Sequence, residues 1–255
     1  MRIAVQLFTL RDYLKTPEDI SETFKRIRNM GYRAIQLSGM GPIDDRALKA
    51  LADREGLAIC ATHVSYDELV HHLDAVIERH RVWESRYVGL GSMPPRYRTS
   101  LEGYDAFAKE MTDIGRRLDK AGFKFIYHNH DFEFTKFEGR SGLDILFAET
   151  DPEAVDFELD VFWVQAGGGD VTEWIRKANG RMKVIHLKDM IITREGERRF
   201  GEIGEGTMNF KGILQACKEI GVEWGCVEQD RCYDKSPFEC LEISYGNLMK
   251  LGAGA

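Results

Sequence analysis

The chain has no apolar run approaching the ~18 residues of a membrane-spanning helix, and no basic stretch leads into its first apolar run at Ile3. Neither a membrane span nor a secretory leader is expected in it. No two cysteines stand at C-x-x-C spacing: Cys60, Cys217, Cys226, Cys232 and Cys240 are an odd, scattered five. That usage speaks against a disulfide scaffold and for a reducing compartment, so a cytoplasmic location is expected. Positive charge is not in excess; the net charge of −7 argues against nucleic acid or an anionic membrane as the main partner. There is no G-x-S-x-G elbow and no cysteine beside a histidine, so covalent catalysis is not indicated. Neither Gly167-Gly168-Gly169 nor Gly201-Glu202-Ile203-Gly204-Glu205-Gly206 fits a Walker or dinucleotide fingerprint. Their amides could cradle a phosphate, but Glu202 and Glu205 oppose an anion, and both stretches read as turns or gates. No low-complexity linker or break in composition divides the 255 residues, and one domain over 1–255 is expected.

What is present is a regular alternation of short apolar runs and amphipathic segments. Strands are expected near 2–8, 33–38, 57–63, 86–90, 123–129, 155–160, 182–187 and 224–228. Helices are expected near 17–30, 43–54, 66–81, 100–121, 142–149, 170–178, 208–219 and 236–250. Thr16-Pro17-Glu18-Asp19 is a strong helix start, with a capping hydroxyl, proline at the first helical position and acids against the dipole. Gly31, Gly56, Gly122 and Gly221 each follow a helical run and precede a strand, where glycine ends a helix in a left-handed turn. Eight strand–helix units in a chain of about 250 residues predict an α/β fold of the (β/α)₈ TIM barrel type.

In such barrels the chemistry lies at the C-terminal ends of the strands, and here those ends carry the polar residues. His63 ends the third expected strand, His128 and His130 the fifth, Asp160 the sixth, His186 and Lys188 the seventh, Glu228 and Asp230 the eighth. The strand starts carry no comparable set. His128, Asp160, His186 and Glu228 brought together would hold a divalent metal with room for substrate. Strand alternation sets His128 and His130 on one face, about 6–7 Å apart. Lys188 could hold a substrate oxyanion as a point charge. Glu228 could both bind a metal and take a proton from a carbon next to a carbonyl; its bland alternative is an ion pair with Arg231. Trp163 is expected either to wall a sugar face or simply to pack. Single residues of this kind more often cap helices or satisfy a core; their clustering at one end of every strand is what favours an enzyme.

Five stretches together resemble the xylose isomerase-like barrel superfamily, in particular its sugar phosphate isomerase/epimerase branch. They are Gly31–Leu37, Tyr127-His128-Asn129-His130-Asp131-Phe132-Glu133-Phe134, Leu159–Trp163, Ile185-His186-Leu187-Lys188-Asp189 and Val227-Glu228. The resemblance to its ketose 3-epimerases implies a metal held by a Glu, an Asp, a His and a second Glu. The Asp maps onto Asp160, the His onto His186 and the last Glu onto Glu228. The first Glu falls at or near His128, so a histidine stands where those enzymes have one of two facing glutamates. Glu133 is a substitute ligand or substrate contact. The H-x-H strand, the Ala166–Asp170 loop and His186-Leu187-Lys188-Asp189 also resemble inosose dehydratases.

The resulting expectation is a metal-dependent isomerase or epimerase of a small keto-sugar or sugar derivative. Its cofactor is Mn²⁺, Mg²⁺, Co²⁺ or Zn²⁺ on His128, Asp160, His186 and Glu228. Glu228 acts as base, His130 or Lys188 moves the second proton, and His63, Glu133 and Trp163 contact substrate. A lyase of the inosose dehydratase type, or one cleaving a 3-keto-glycoside, shares the same enolate and is the alternative. A phosphodiesterase like the superfamily's DNA-repair endonucleases would need more ligands than seven histidines, several of them on expected helices, supply. A non-catalytic sugar-binding module would lack the metal. The partners expected are a small sugar, with no nucleic acid and no membrane; the sequence leaves a homo-oligomer open.

Overall fold

The computed structural model describes residues 1–254. Eight strands form the barrel: β1 (Arg2–Gln6), β2 (Ala34–Leu37), β3 (Ala58–Val64), β4 (Tyr87–Leu90), β5 (Lys124–His128), β6 (Val155–Glu158), β7 (Val184–Leu187) and β8 (Trp224–Val227). Every pairing between neighbours is parallel, in the order β6-β5-β4-β3-β2-β1-β8-β7. The seam between β6 and β7 is spanned by a parallel bridge between Asp160 and His186, and His186 N–H donates to the Leu159 carbonyl at 2.9 Å. The ring is thus tied across its open edge at two residues already singled out for their chemistry.

Helices α1 (Pro17–Asn29), α2 (Asp45–Arg54), α3 (Tyr66–His71), α4 (Leu73–Trp83), α5 (Leu101–Lys120), α6 (Gly142–Glu149), α7 (Val161–Ala166), α8 (Val171–Lys177), α9 (Phe210–Ile220) and α10 (Pro237–Lys250) intervene between the strands or follow them. Thr16 and Asp19 form the capping box expected of α1. Gly31, Gly56, Gly122 and Gly221 take φ of 111°, 65°, 89° and 70°, the left-handed region that suits glycine. The single helix expected near 66–81 is two helices: His72, at φ −132° and ψ 29°, ends α3 and begins α4. Several elements escape the periodicity, two of them beside the polar strand ends. One is α7, a short helix capped by Asp160. The other is the antiparallel hairpin Asp189–Ile192/Arg198–Gly201 after β7. Among the described residues no helix is long and apolar enough to cross a membrane, and all five cysteines are free.

The core has two parts. A large shell of aliphatic and aromatic side chains lies between strands and helices. A smaller cluster of Ala4, Ala34, Cys60, Ala61, Tyr87, Ile126, Val184, Trp224 and Cys226 fills the barrel itself. Side chains alternate along a strand, so the residue two positions on points the same way. Two positions beyond Ala4, Ala34, Ile126, Val184 and Cys226 stand Gln6, Gln36, His128, His186 and Glu228. The apolar filling is the floor on which a polar layer rests.

Candidate metal centre at the barrel mouth

That polar layer is a connected network buried from solvent. One nitrogen or oxygen each from His128, Asp160, His186 and Glu228 lie within 4.8 Å of one another. All four residues are buried, Asp160 and His186 completely. The structure therefore brings together the four residues expected to hold a metal.

Hydrogen bonds fix which atoms face inward. His128 Nδ1 donates to the Gly91 carbonyl at 3.0 Å. Its Nε2 lies 3.1 Å from Asp160 Oδ2, so this nitrogen is the one turned on the carboxylate. Gln36 contacts Glu158 Oε1 at 2.8 Å; a carboxylate only accepts, so the amide NH₂ faces it. Gln36 Oε1 must then accept from His186 Nε2, at 2.9 Å. That leaves His186 Nδ1 facing the site, 2.9 Å from Glu228 Oε2 and 3.8 Å from Asp160 Oδ2. Asp160 uses Oδ1 to cap α7, accepting from the amides of Phe162 and Trp163, which leaves Oδ2 for the site. Asn129 Oδ1 holds the Asp160 amide at 3.0 Å.

A second group, His63, Glu158 and His186, also has converging donor atoms, but it is internally satisfied. His63 Nε2 donates to Glu158 Oε2 at 2.6 Å. Gln6, whose Oε1 accepts from the Phe8 amide, turns its NH₂ toward His63 Nδ1. Its polar atoms bond one another, whereas in the first group Nε2 of His128 and Nδ1 of His186 both converge on the free oxygens of Asp160 and Glu228. Glu158 is the hub of this supporting network, wholly buried. Its one signal in the sequence is strand alternation, which sets it on the same face as Asp160.

Charge makes the same distinction. Glu158, Asp160 and Glu228 bring three buried negative charges, and Lys188 is the one buried ammonium among them. With His186 protonated the excess is one negative charge; a metal that displaces that proton leaves two, which a divalent cation would balance, and such burial without compensation is costly. Burial opposes ionisation of Asp160 and Glu228, yet Lys188 and the neighbouring histidines outweigh it and hold both below the usual carboxylate range. Burial lowers the affinity of His186 for a proton, but Glu158 and Glu228 outweigh it and raise its pKa well above an ordinary imidazole. Without another cation, a proton fills the space between Nδ1 and Glu228. The donor set of two imidazoles and two carboxylates fits Zn²⁺, Mn²⁺ or Co²⁺ better than Mg²⁺, which takes oxygen ligands.

Lys188 is 1% exposed. Its Nζ contacts Asp160 Oδ2 at 3.0 Å, Glu228 Oε2 at 2.7 Å and Asp230 Oδ2 at 2.7 Å. Burial disfavours the ammonium, but these carboxylates outweigh burial and raise its pKa above that of a free lysine. All three of its protons have partners. The ion pair of Glu228 is with Lys188, in place of the Arg231 alternative. Asp230, by spacing alone only an acid at a strand end, completes this arrangement.

His130 lies past the end of β5, so strand alternation does not place it. Its ring centroid nevertheless lies 4.9 Å from that of His128, because its amide donates to Glu133 Oε2 at 2.8 Å. Its Nδ1 is buried without a hydrogen-bond partner. Burial, with His128 and Lys188 nearby, pushes its pKa down to about 2, so the ring is neutral. Glu133, expected as a ligand or substrate contact, is wholly buried beneath this loop. Its other oxygen accepts from Tyr127 OH, and burial raises its pKa to about 7. With both oxygens committed to the protein, Glu133 supports His130 and lies outside the donor set. Trp163 stands 5.5 Å from the His130 ring and 5.7 Å from that of Phe200 on the unforeseen hairpin. Its Nε1 is buried with no partner.

His63 sits beside this cluster, its ring 5.2 Å from His128 and 5.3 Å from His186. Gly91 gives it room: a Cβ there would lie 2.8 Å from His63 Nδ1. The glycine-rich stretches are accounted for without a ligand. Asp189 Oδ2 accepts from the amides of Gly204 and Gly206, and Oδ1 from that of Met208. The amides that could cradle a phosphate are occupied by a carboxylate. Gly167 ends α7 against Phe134, whose ring a Cβ would meet at 2.3 Å.

Comparison with known proteins gives a consistent result. The rhizopine catabolism protein MocC of Rhizobium meliloti is 23% identical over 92% of this chain and 82% of its own length. An inosose dehydratase of Lacticaseibacillus casei is 22% identical over 82% of each chain. A sugar phosphate isomerase/epimerase from Parabacteroides distasonis superposes with a TM-score of 0.84 at 23% identity, covering 98% of both chains. An L-ribulose 3-epimerase superposes with 0.75 at 16% identity over 98% of this chain and 94% of its own. The IolI protein with a bound zinc atom superposes with 0.74 at 15% identity over 98% of both. The structural likenesses, at these identities, establish the fold. Relatives named in this group are enzymes: epimerases, isomerases and dehydratases. Residues 24–235 match the xylose isomerase-like TIM barrel family, and the chain belongs to it.

Proposed function

We propose that this chain is a divalent-metal-dependent isomerase or epimerase that enolises a keto-sugar or a related sugar derivative. The observation that carries the reading is the convergence of one ligand atom each from His128, Asp160, His186 and Glu228, all buried, with both imidazole nitrogens turned on carboxylates. These four residues would hold the cation, which when bound supplies Lewis acidity toward the substrate carbonyl.

The protein's own groups divide the remaining work. Glu228 anchors Oε2 on Lys188 and His186. Its Oε1 has no hydrogen-bond partner among the described residues, and this is the oxygen that takes the proton from the carbon next to the carbonyl. Lys188 and His186 outweigh burial and keep Glu228 ionised near neutral pH. Lys188 has no free proton for substrate, and its part is to hold Asp160 and Glu228 in place. His130 has the free ring nitrogen. A neutral imidazole there can exchange a hydrogen bond, or a proton, with a substrate oxygen, and the unpartnered Trp163 N–H can add a second contact. His128 stands where the resembled epimerases have the second facing glutamate, so Glu228 alone, moving the proton between neighbouring carbons on one face, suits isomerisation, and epimerisation requires His130 to return the proton from the opposite face.

The alternative is a lyase that forms the same enolate and expels water or an aglycone. The names of the curated relatives favour it, since five of them are inosose dehydratases. Incubation of keto-sugars and keto-cyclitols with the metal-loaded protein in D₂O separates the two. Deuterium at a retained carbon supports the isomerase; loss of water or aglycone supports the lyase. Glu228→Gln abolishes both outcomes while leaving the melting profile of a folded barrel. Near-normal turnover by that variant would remove Glu228 from the reaction. Metal analysis of the purified protein tests the site without reference to turnover.

A further inference from the structure

The strand starts carry no metal-ligand set, but they carry charge of the opposite sign to the mouth. Five of the eight strands open on a basic residue or directly follow one: Arg2, Arg33, Arg86, Lys124 and Lys183. Among the described residues Lys124 alone of these has a carboxylate within ion-pair distance, Asp119 at 2.6 Å. Asp156 on β6 and Glu223 before β8 answer only part of that charge. In a chain with a net charge of −7, this end of the barrel is where an anion meets least repulsion.

A cavity of about 290 Å³ opens at that end, between the starts of β1, β2, β3 and β8 and the last turns of α10. Arg2, Arg33, Ala58, Trp224, Tyr245 and Met249 are among its walls, and no carboxylate of the described residues is. The Arg2 guanidinium packs over the Trp224 ring, 3.5 Å from its centroid, and its N–H groups have no protein acceptor among the described residues. Stacking of this kind holds a guanidinium in place while leaving its edges free for an oxyanion. Arg33 spends Nη1 on the carbonyls of Gly31 and Tyr32, at 2.7 and 2.8 Å. Its Nε and Nη2 are uncommitted among the described residues. Both arginines are exposed, so these donors are open to a ligand.

The rest of the wall is apolar. Tyr245 and Met249 are half-buried and Ala58 is exposed. Tyr245 donates its OH to the Gly31 carbonyl at 3.0 Å, and a side chain at position 31 would strike its ring. Two cations without a counter-ion beside an apolar wall suit a ligand that is anionic at one end and apolar at the other. The volume is just below the ~300–1,000 Å³ of pockets for drug-sized ligands, which leaves room for one ring and its charged group.

We propose that this cavity binds a small aromatic oxyanion, with its oxygens on Arg2 and Arg33 and its ring against Tyr245 and Met249. The site lies at the opposite end of the barrel from Glu228, so it stands or falls apart from the chemistry proposed there.

The test is a ¹H–¹⁵N NMR titration of the full-length protein, with metal removed by a chelator so that no metal at the mouth competes. The probes are benzoate and phenyl phosphate, with benzyl alcohol as a ring without charge and inorganic phosphate as a charge without a ring. The better of the first two is expected to bind at least about tenfold more tightly than either half-probe. It should shift the amides of Gly31 and Met249 and the indole N–H of Trp224, and which of the two wins identifies the oxyanion. Arg2→Gln and Arg33→Gln are each expected to weaken it about tenfold. Met249→Ala should weaken it about threefold and leave inorganic phosphate unchanged. Arg33→Gln serves alone if Arg2→Gln, which loses the stack on Trp224, does not fold. The proposal is overturned by no saturable shifts with either aromatic anion, by shifts centred on the mouth, by equal affinity for either half-probe, or by folded arginine variants that bind as the parent does.

Discussion

Replacing Glu158 by glutamine changes one oxygen to an NH₂ and should disable the metal centre from a distance. Glu158 accepts from Gln36 at 2.8 Å and from His63 at 2.6 Å, so both of its oxygens face donors. A glutamine has one acceptor oxygen, and one of the two contacts becomes donor against donor. If Gln36 turns over to relieve it, its NH₂ meets His186 Nε2, which must then be the lone pair. The His186 proton moves to Nδ1, the atom that faces Glu228 and Asp160, and the ligand is lost. If instead His63 changes tautomer, its Nδ1–H meets the Gln6 NH₂, which is fixed by the Phe8 amide. Neither escape is free. A buried donor left unmet costs about 1–3 kcal/mol of stability, and loss of a partner that orients a metal-binding histidine typically costs about 10–100-fold in metal affinity. The assay is equilibrium dialysis against Mn²⁺ or Zn²⁺, with thermal unfolding of the metal-free protein alongside. ¹⁵N NMR of the histidine rings reports the tautomer directly. Unchanged metal affinity, with His186 still carrying its proton on Nε2, would refute the argument that Glu158 and Gln36 set which nitrogen faces the site.

Two further predictions concern buried charge away from and within the centre. His80 is buried, donating Nδ1–H to the Val76 carbonyl at 2.7 Å and placing Nε2 2.7 Å from Thr62 Oγ1, and burial lowers its pKa from 6.5 to about 4. The unfolded chain binds the extra proton between those values, so stability from this residue is lost as pH falls from about 6.5 to about 4, by ~3 kcal/mol. The difference in unfolding free energy between the parent and His80→Gln should change by that order between pH 7 and pH 4; a constant difference would contradict it. Lys188→Met leaves Asp160 and Glu228 without their ammonium and should destabilise the metal-free barrel by ~3–5 kcal/mol. Saturating Mn²⁺ should recover much of that deficit, because a divalent cation answers the same carboxylates; an equal deficit with metal and with a chelator would show that Lys188 and the metal are not interchangeable sources of charge.

The barrel is legible in the sequence because its signals are local and repeat. Short apolar runs, capping residues such as Thr16 and terminating glycines such as Gly221 recur along the chain, and each needs only its neighbours to be read. The four metal-binding candidates are legible for a related reason: a polar residue that ends an apolar strand must face either solvent or a site, and the fold fixes which end of the barrel it lies on. What stays hidden depends on contacts between distant segments. Gln36 and Glu158 are 122 positions apart, and their joint control of His186 exists only across the barrel. Alternation sets His130 on the correct side of the barrel for the wrong reason, since β5 ends at His128 and it is the Glu133 carboxylate that turns the loop inward. Glu133 itself, an acid in a motif rich in ligands, looks functional by composition; its burial under Tyr127 cannot be read from spacing. The hairpin after β7 is hidden because Asp189 and the Gly204–Gly206 loop find each other through side-chain to backbone bonds that leave no periodicity.

Asp160 shows how closely the fold and the centre depend on each other. One of its oxygens caps α7, its backbone pairs with His186 across the open edge of the barrel, and its second oxygen meets His128, His186 and Lys188. β6 and β7 form no regular ladder, so this bridge carries much of the closure. The seam is also where three like charges are buried, which makes it the place where electrostatic repulsion acts most directly against closure. Neutralising those charges and closing the ring are therefore one process, and a cation held there should tighten the β6–β7 edge more than any other part of the sheet. Hydrogen exchange with and without Mn²⁺ measures this. The amides of His186 and Val164, which bond across the seam and within α7, should gain protection, while those of β2 and β3 on the far side change little. Uniform protection across all eight strands would mean that the metal stabilises the barrel as a whole and that the seam is not its point of action.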